Sequence, residues 1–403
     1  MENKRWFALV LLFSICISYY GENFLKSAAS ALSPVLIQEL GINKGTMGLL
    51  ITAFYIIYGI MQIPTGMFTN ILGPRKTILS FTALTLTGVF LFWISFRFEM
   101  LVVAQIIMGI GCSVFYINAV SLITQWFPIE RKATAIGILS AASGLGGFTS
   151  YMGFPLANAN FGGWRNLYII MAIVLLANYV MNFFILKNNP KGNEIEHKSN
   201  KNLLKSFGDV LRDRRIYPFI AGYMLLSFGW VLMAWMPAFL TETKGFTYVE
   251  AGLISSLGGI AAIPGCIAMG AISDRLRKRK LPLIIFSCLY VVVITTFIFA
   301  PAGFPLALIA TLSFSMSFCS SIWVLFFSMV PEVLPMEKAS IGLGLVNGIG
   351  TIGYSLITPF YGSLIDSTGS YFASNMVIIA TSIIMMLTMV FFTKETYGGS
   401  QED

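Results

Sequence analysis

Long hydrophobic runs alternate with short polar segments along the whole chain. A run of about 20 apolar residues is long enough to cross a bilayer as an α-helix. The pattern predicts twelve such helices, divided six and six by a polar stretch at 187–215. An all-α polytopic membrane protein is therefore the predicted fold class. The predicted spans lie near 6–38, 46–68, 77–96, 101–126, 134–158, 166–186, 218–240, 250–272, 282–301, 304–330, 340–365 and 371–393.

The two halves of the chain repeat one another. The segment GMFTNILGPRK at 66–76 corresponds to GAISDRLRKRK at 270–280, 204 residues later. PIERKATAIG at 128–137 corresponds to PMEKASIGLG at 335–344, 207 residues later. We therefore expect two pseudo-symmetric six-helix bundles, which in transporters hold the substrate near the membrane midplane between them. The predicted domains are an N-terminal bundle at 1–186, a cytoplasmic linker at 187–215 and a C-terminal bundle at 216–403.

The composition and the placement of charge support a membrane protein. The chain is 56% hydrophobic and 11% charged, whereas soluble proteins carry roughly a quarter charged residues. With the termini placed in the cytoplasm, 21 of the 26 lysines and arginines fall on the cytoplasmic side. This positive-inside asymmetry accounts for the net charge of +8 without a nucleic-acid partner. It predicts a multi-pass protein of the plasma (inner) membrane with both termini cytoplasmic.

The residue types exclude several classes of protein. All five cysteines lie in apolar segments without CxxC spacing, and the single histidine, His197, lies in the polar stretch. We therefore expect reduced cysteines, no metal site and no cofactor. A GxxxxGK[ST] loop for ATP is absent, and a membrane-embedded enzyme has little support. A signal peptide is a competing interpretation of Lys4, Arg5 and the following apolar run, but its cleavage would destroy the internal repeat.

An acid and a base lie within the first predicted span. Glu22 and Lys26 are four residues apart, so they share one face of a helix, together with Tyr19. A lysine at the bilayer centre costs about 2.5–3.5 kcal/mol, whereas a helical ion pair contributes only about 0.2–0.5 kcal/mol. Stability alone is a poor reason for the pair. We expect Lys26 to anchor an anionic substrate and Glu22 to neutralise Lys26 when the site is empty, or to carry a proton, because burial favours a neutral carboxyl group.

The repeat indicates what accompanies Lys26. A shift of 203 to 204 residues places Gly229 or Trp230 at the equivalent position, so the second half has no matching cation. One lysine opposite an aromatic wall fits a monocarboxylate better than a dianion. The shift of 207 residues pairs Tyr116 with Trp323. The further candidates for the substrate cavity are Tyr55, Tyr58, Asn118, Tyr223 and Asn347.

The loop residues resemble the signature of the major facilitator superfamily, which reads roughly G-x-x-x-D-R-x-G-R-K between helices two and three. Gly66, Gly73 and Arg75 match it, whereas Asn70 stands in place of the acid and the second copy keeps Asp274. In that family the loop acts as a cytoplasmic hinge and latch between the two domains. The resemblance therefore implies a twelve-helix transporter. It also implies a gating role for residues in both copies of this loop and at the end of the tenth span. The gating candidates are Gly66, Asn70, Arg75, Asp274, Arg275 and Glu332.

Two further matches bear on substrate and coupling. The family motif R-x-x-x-G-x-G on helix four reads QIIMGIG here, so Gln105 replaces an arginine often tied to proton coupling. Lys26 stands eight residues before Pro34, which is similar to a first-helix arginine of the organophosphate exchangers and the anion:cation symporters. Monocarboxylate transporters also carry a first-helix lysine. The resemblance implies a small organic anion as the substrate.

The sequence predicts a monomeric transporter that moves this anion by alternating access, with protons as a candidate second substrate. Two other functions stay open. A zwitterionic amino acid or short peptide would give its carboxylate to Lys26 and its ammonium to Glu22. A nutrient-sensing receptor would bind its ligand without flux.

Overall fold

The computed structural model describes residues 2–187 and 203–397, and within these ranges all regular structure is helical. The repeated apolar runs form helices because a backbone surrounded by lipid must satisfy its own hydrogen bonds. In chain order the helices are α1 (Glu2–Ala31), α2 (Ser33–Leu40), α3 (Lys44–Ile94), α4 (Phe98–Cys112), α5 (Phe115–Trp126), α6 (Ile129–Asn160), α7 (Trp164–Ile185), α8 (Leu203–Arg212), α9 (Tyr217–Thr243), α10 (Tyr248–Leu276), α11 (Lys280–Phe299), α12 (Leu306–Ser320), α13 (Trp323–Val333), α14 (Met336–Thr368) and α15 (Tyr371–Phe392), with a 3₁₀ turn at Arg214–Ile216 before α9.

Among the described residues, eleven helical segments are long and apolar enough to cross a membrane. The remaining predicted span, the fifth, is α6, which has 32 residues. Its glycine, alanine and serine content lowers its hydropathy but suits close packing between helices. A methyl group at Gly146 of α6 would overlap the carbonyl oxygen of Tyr20 on α1, so these two backbones meet there without room for a larger side chain.

Three predicted spans are each made of two helices. The first breaks between α1 and α2, next to Pro34, whose ring disfavours continuation of the preceding turn. The fourth and tenth break at equivalent places, because α4 and α12 both have 15 residues and end at Cys112 and Ser320. The internal repeat therefore includes these interruptions as well as the loops.

The second and third predicted spans follow one another within α3, which departs from helical geometry at Gly73. Gly73 has φ 75° and ψ 159°, a conformation that glycine adopts without the steric cost of a side chain. The predicted loop at 66–76 is thus a sharp change of direction at one glycine and not an extended connection.

The chain packs as two compact units. The first contains residues 1–42 and 50–199, and the second contains residues 43–49 and 200–403. In the second unit the Asp366 carboxylate accepts hydrogen bonds from the amides of Lys44 and Gly45, at distances of 3.1 and 2.7 Å, and so caps the start of α3.

A buried polar cluster joins α1 to α7 in the first unit. Ser14 Oγ donates to Asn182 Oδ1 over 2.6 Å, and Asn182 Nδ2 donates to Ser18 Oγ over 2.8 Å. Ser18 Oγ in turn donates to Asn178 Oδ1, while Asn178 Nδ2 donates to the Ser14 carbonyl over 3.0 Å. The cluster fixes α1 against α7 one turn before Glu22, so it sets the position of that carboxylate.

Replacing Asn178 by alanine should lower the thermal stability of the purified protein. Hydrogen bonds between membrane helices contribute about 0.6 kcal/mol on average and up to roughly 1.7 kcal/mol, and this change removes two of them. We expect a lower midpoint of thermal unfolding in detergent. Asn158→Ala, at an exposed position of α6, is the matched control and should leave the midpoint unchanged. Equal midpoints for the two variants would contradict a stabilising role for the cluster.

Candidate functional site

The ammonium of Lys26 lies among tyrosine rings of the first unit. Its Nζ is 4.7 Å from the ring centroid of Tyr58 and 5.4 Å from that of Tyr55. Tyr55 also donates its hydroxyl to the backbone carbonyl of Lys26 over 3.4 Å, and Tyr58 stacks on Phe54. Aromatic faces attract a cation without supplying a counter-charge. The arrangement therefore holds the ammonium in place and leaves its positive charge to be balanced by something else.

Two further aromatic candidates lie beside this group. Tyr19 is nearly parallel to Phe115, with ring centroids 6.1 Å apart, and it contacts Tyr116 at 5.5 Å. Tyr116 is 40% exposed although it lies within a membrane span. The sequence-predicted residues Tyr19, Lys26, Tyr55, Tyr58 and Tyr116 thus lie on α1, α3 and α5 of a single unit.

Glu22 and Lys26 do not form the ion pair that their spacing allows. Among the described residues, no carboxylate oxygen lies within 4.0 Å of Lys26 Nζ. Glu22 is only 5% exposed and its Oε2 accepts no hydrogen bond from the described part of the chain. The carboxylate borders a cavity with Thr85 of α3 and Cys112 of α4. The expectation that Glu22 neutralises Lys26 stays a prediction, since the two groups lie close on one helix without a direct ion-pair contact.

The second unit brings together its own set of predicted residues. Tyr223 of α9 lies edge-on to Trp230 at 5.8 Å and to Phe327 of α13 at 5.4 Å. Trp323 contacts Phe327 at 5.7 Å, and the Tyr223 hydroxyl donates to Asn347 Oδ1 over 3.4 Å. The four predicted residues of this half thus belong to one aromatic cluster with an amide at its edge. This cluster contains no charged residue, as the repeat comparison predicts for the position equivalent to Lys26.

Asn118 is placed apart from both groups. It is fully buried, and its Nδ2 donates to the carbonyl of Val114 on its own helix over 2.7 Å. The pairing of Tyr116 with Trp323 stays a prediction: the helices that carry them begin at Phe115 and Trp323.

The gating candidates of the second half gather around an arginine that sequence reasoning did not single out. Arg279 contacts Asp274 at 2.7 Å and Glu332 at 2.9 Å. Glu332 also accepts from Thr396, and Glu395 accepts from the backbone amide of Arg279, so the segment after α15 is tied to the same place. Burial disfavours the charged guanidinium, but the two carboxylates more than offset this and raise the pKa of Arg279.

Arg275, the predicted partner in this loop, is exposed and makes no hydrogen bond or ion pair within the described residues. The motif position alone suggested Arg275. The internal repeat could have identified Arg279, because Arg279 is the counterpart of the motif residue Arg75 in the aligned segments.

The first half has different chemistry at the equivalent positions. Asn70 and Gln125 stand where the second half has Asp274 and Glu332, so both acids are replaced by neutral amides. Arg75 instead donates to the carbonyl of Phe183 on α7 over 2.9 Å. The side chains of Gly66 and Asn70 lie outside what the structure describes. Within the described side chains, a cluster of acid, base and acid is therefore seen in the second half.

These observations define a class of protein: a multi-pass helical membrane protein of two repeated units, with a lysine inside the first span that makes no direct ion-pair contact with any described carboxylate. The family comparison agrees, because residues 11–358 match the model of the Major Facilitator Superfamily. The chain belongs to this superfamily of transporters and is not an enzyme.

Individual relatives are consistent with this assignment. The chain is 26% identical over 387 residues to a "probable sulfoacetate transporter" of Cupriavidus necator, covering 90% of this chain and 88% of that protein. It is 24% identical to a "probable galactarate/D-glucarate transporter" of Bacillus subtilis, covering 95% and 90% of the two chains. Among solved structures, it resembles a bacterial homologue of the human lysosomal transporter Spinster, with a TM-score of 0.74, 16% identity and 96% coverage of both chains.

Replacing Arg279 by glutamine should destabilise the second unit. The change leaves Asp274 and Glu332 without their shared cation, and hydrogen bonds to charged groups contribute about 1.5–3 kcal/mol when buried. Since Asp274 is largely exposed, we expect the free energy of unfolding to fall by an amount near the lower end of this range. The change would be seen as a lower midpoint of thermal unfolding. Arg275→Gln, in the same loop, is the control and should behave like the wild type. A loss of the same size in both variants would argue against the assigned cluster.

Proposed function

We propose that this protein transports a small organic anion whose negative group binds Lys26. The observation that carries the proposal is the ammonium of Lys26, which lies inside a span against two tyrosine rings, with no carboxylate of the described residues in ion-pair contact. A charge in this position is costly and marks a substrate or ion pathway in membrane proteins. A bound anion would compensate it during each transport cycle.

The relatives support an anionic substrate. The names of the matched proteins include sulfoacetate, galactarate and D-glucarate, and a hexuronate transporter of Bacillus subtilis is 22% identical over 404 residues. All of these compounds carry at least one acidic group. They differ in size and in the number of charges, so they favour a chemical class and not one compound.

Within that class, we propose a monocarboxylate as the preferred substrate. Lys26 has no counterpart in the aromatic cluster of Tyr223, Trp230 and Trp323. A dianion would leave one charge to be desolvated without a second cation, which is unfavourable. A singly charged molecule with an apolar part would need only one ammonium, and aromatic side chains could contact the rest of it.

The transport cycle that we propose is alternating access by two six-helix domains at 1–186 and 216–403, joined by the linker at 187–215. The positive-inside asymmetry supports cytoplasmic termini and a plasma (inner) membrane location. We propose a monomer, because in transporters of this architecture the two repeated halves of one chain form the substrate site between them. We propose that transport is coupled to a proton and that Glu22 carries this proton.

Lys26→Ala should abolish uptake of the anion into proteoliposomes, because the substrate loses its only charged partner. Lys26→Arg keeps the positive charge and should retain part of the activity with a raised KM. Arg97→Ala, an exposed cation at the start of α4, is the control. Uptake by Lys26→Ala at the rate of the wild type would refute the proposal, and binding without any flux in the wild type would favour the receptor alternative.

A zwitterionic substrate is the second candidate, favoured by an acid and a base four residues apart on one helix. Glu22→Gln separates the two functions. A simple anion should still bind this variant, whereas an amino acid or short peptide should lose the partner of its ammonium and bind at least tenfold more weakly. The measurement is thermal stabilisation of purified wild type and variant by carboxylates, amino acids and dipeptides in parallel. Stabilisation of the wild type by dipeptides alone would replace the anion proposal by this one.

A further inference from the structure

Exposed cations gather at one end of the second unit, in the loop between α10 and α11. Arg275, Arg277 and Lys278 are exposed there, and Lys280 follows them at the start of α11. Within the described residues, the side chains of these four cations make no hydrogen bond or ion pair. Their charges are therefore available to a ligand.

The internal repeat shows that the loop does not need these cations to fold. In the aligned segments, the first half has isoleucine, glycine and proline at the positions of Arg275, Arg277 and Lys278. The two following positions are basic in both halves, as Arg75 and Lys76 show for the first. The second half has therefore gained three positive charges in a loop whose counterpart forms with neutral residues.

Arg277 has a backbone conformation that favours glycine. It caps the C-terminus of α10 with φ 50° and ψ 41°, and its amide donates to the carbonyl of Asp274 over 3.2 Å. Its counterpart Gly73 also has a positive φ, of 75°. Among the described residues, Arg277 is the only one other than glycine with a positive φ. Since a Cβ atom disfavours this conformation, the arginine has a conformational cost that glycine would avoid, which indicates a use for its charge.

The loop cations lie close to the membrane surface. The helix α10 ends at Leu276 and α11 begins at Lys280, and both are long and apolar enough to cross a membrane. Three connecting residues extend over at most about 10 Å, so their side chains stay near the headgroup layer. Leu276 and Leu281 flank the cations and are 47% and 42% exposed. Positive charge and exposed apolar surface therefore lie side by side, as a lipid requires and a soluble anion does not.

The end of α15 extends this surface. The Glu395 carboxylate accepts hydrogen bonds from the backbone amides of Arg279 and Lys280, over 2.6 and 3.2 Å, so the residues after α15 lie against the loop. Lys394, next to Glu395, is exposed. The last two residues of α15 are phenylalanines that are 72% and 70% exposed. A further cation and further apolar surface are thus added to those of the loop.

The carboxylates at this place do not neutralise the exposed cations. Asp274 and Glu332 share Arg279, and Glu395 accepts from backbone amides. Even if Arg279 is counted with these three carboxylates, the cations outnumber them and the surface keeps a net positive charge. The exposed cations, here called the basic patch, are Arg275, Arg277, Lys278, Lys280 and Lys394.

We propose that the basic patch binds the headgroup of an anionic phospholipid, whose acyl chains lie on the exposed apolar side chains beside it. The guanidinium groups of Arg275 and Arg277 would hold the phosphate, because arginine presents a fork of donors that matches phosphate oxygens. Lysines at the edge would attract the remaining negative charge, as clusters of basic residues next to membrane spans do. No residue of the site around Lys26 takes part.

The binding test uses the purified full-length protein in a neutral detergent, without any transport substrate. Phosphatidylglycerol is added to one sample and phosphatidylcholine, which has the same acyl chains but no net charge, to another. A ligand that binds only the folded state stabilises it, so we expect a higher thermal unfolding midpoint with phosphatidylglycerol. Native mass spectrometry should show that this lipid is retained in preference. Equal midpoints with the two lipids would overturn the proposal. A rise of the same size with inorganic phosphate alone would also overturn it, because a free anion would then suffice.

Arg277→Gly removes one cation of the basic patch and suits the backbone. Glycine adopts a positive φ without the cost of a side chain, so the midpoint in lipid-free detergent should equal or exceed that of the wild type. The phosphatidylglycerol concentration that gives half of the stabilisation should rise roughly fivefold, the effect expected for one cation near anionic lipid. A variant that is equally stable and responds to the lipid like the wild type would count against a role for Arg277.

A triple variant tests the whole loop. Arg275→Gln, Arg277→Gly and Lys278→Gln together make the loop as neutral as its counterpart in the first half, and the preference for phosphatidylglycerol over phosphatidylcholine should be lost. Lys76→Gln is the matched control, because Lys76 is an exposed cation in the first-half copy of the same loop. It should respond to both lipids like the wild type. An unchanged preference in the triple variant would refute the assignment.

These measurements contain no substrate, so they separate the lipid site from the proposed transport function. A wild type that prefers phosphatidylglycerol but transports no anion would keep the lipid site and refute only that function. A wild type that transports the anion but does not distinguish the two lipids would refute the lipid site alone.

Discussion

A charged group inside the hydrocarbon of a bilayer is costly unless a nearby group compensates its charge. The first unit carries two such groups on one helix, and it does not pair them with each other. Lys26 is held by the faces of Tyr55 and Tyr58, and Glu22 borders a small cavity. This separation gives each charge its own requirement for a partner. The anion site proposed above is the way in which a ligand would meet the requirement of Lys26.

The separation depends on how α1 is fixed. The cluster of Ser14, Ser18, Asn178 and Asn182 holds α1 against α7, and the contact at Gly146 holds it against α6. Between these two restraints the helix cannot rotate without breaking buried hydrogen bonds, so Glu22 and Lys26 keep their neighbours on the adjoining helices. Polar contacts that look structural therefore determine which side chain faces which neighbour.

The sequence predicted the helical class, the repeat and most of the span positions, because hydropathy and loop motifs depend on local composition. It also named aromatic candidates for one substrate cavity, and the structure places them in two groups, one in each unit. It did not predict that Glu22 and Lys26 make no direct ion-pair contact, or that Arg279 and not Arg275 joins Asp274 to Glu332. Spacing along a helix limits which side chains can meet, but neighbouring helices decide which of them do. Those neighbours, such as Thr85 and Asn178, are far away in the chain and carry no recognisable motif.

The interruptions after Cys112 and Ser320 have a consequence for local stability. At each break, shorter-range backbone hydrogen bonds such as those from Ser113 to Ile110 and from Ser321 to Phe318 replace the regular helical pattern. We expect such places to open locally at a lower free energy than intact helices do. The two halves contain this weak point at matching positions although the residues around it differ. We therefore expect hydrogen exchange to divide the fourth and tenth spans each into two protected segments separated by a short region of faster exchange. The two halves would thus share a pattern of hydrogen-exchange protection as well as a pattern of packing. Exchange of the backbone amides would measure this pattern without a known substrate.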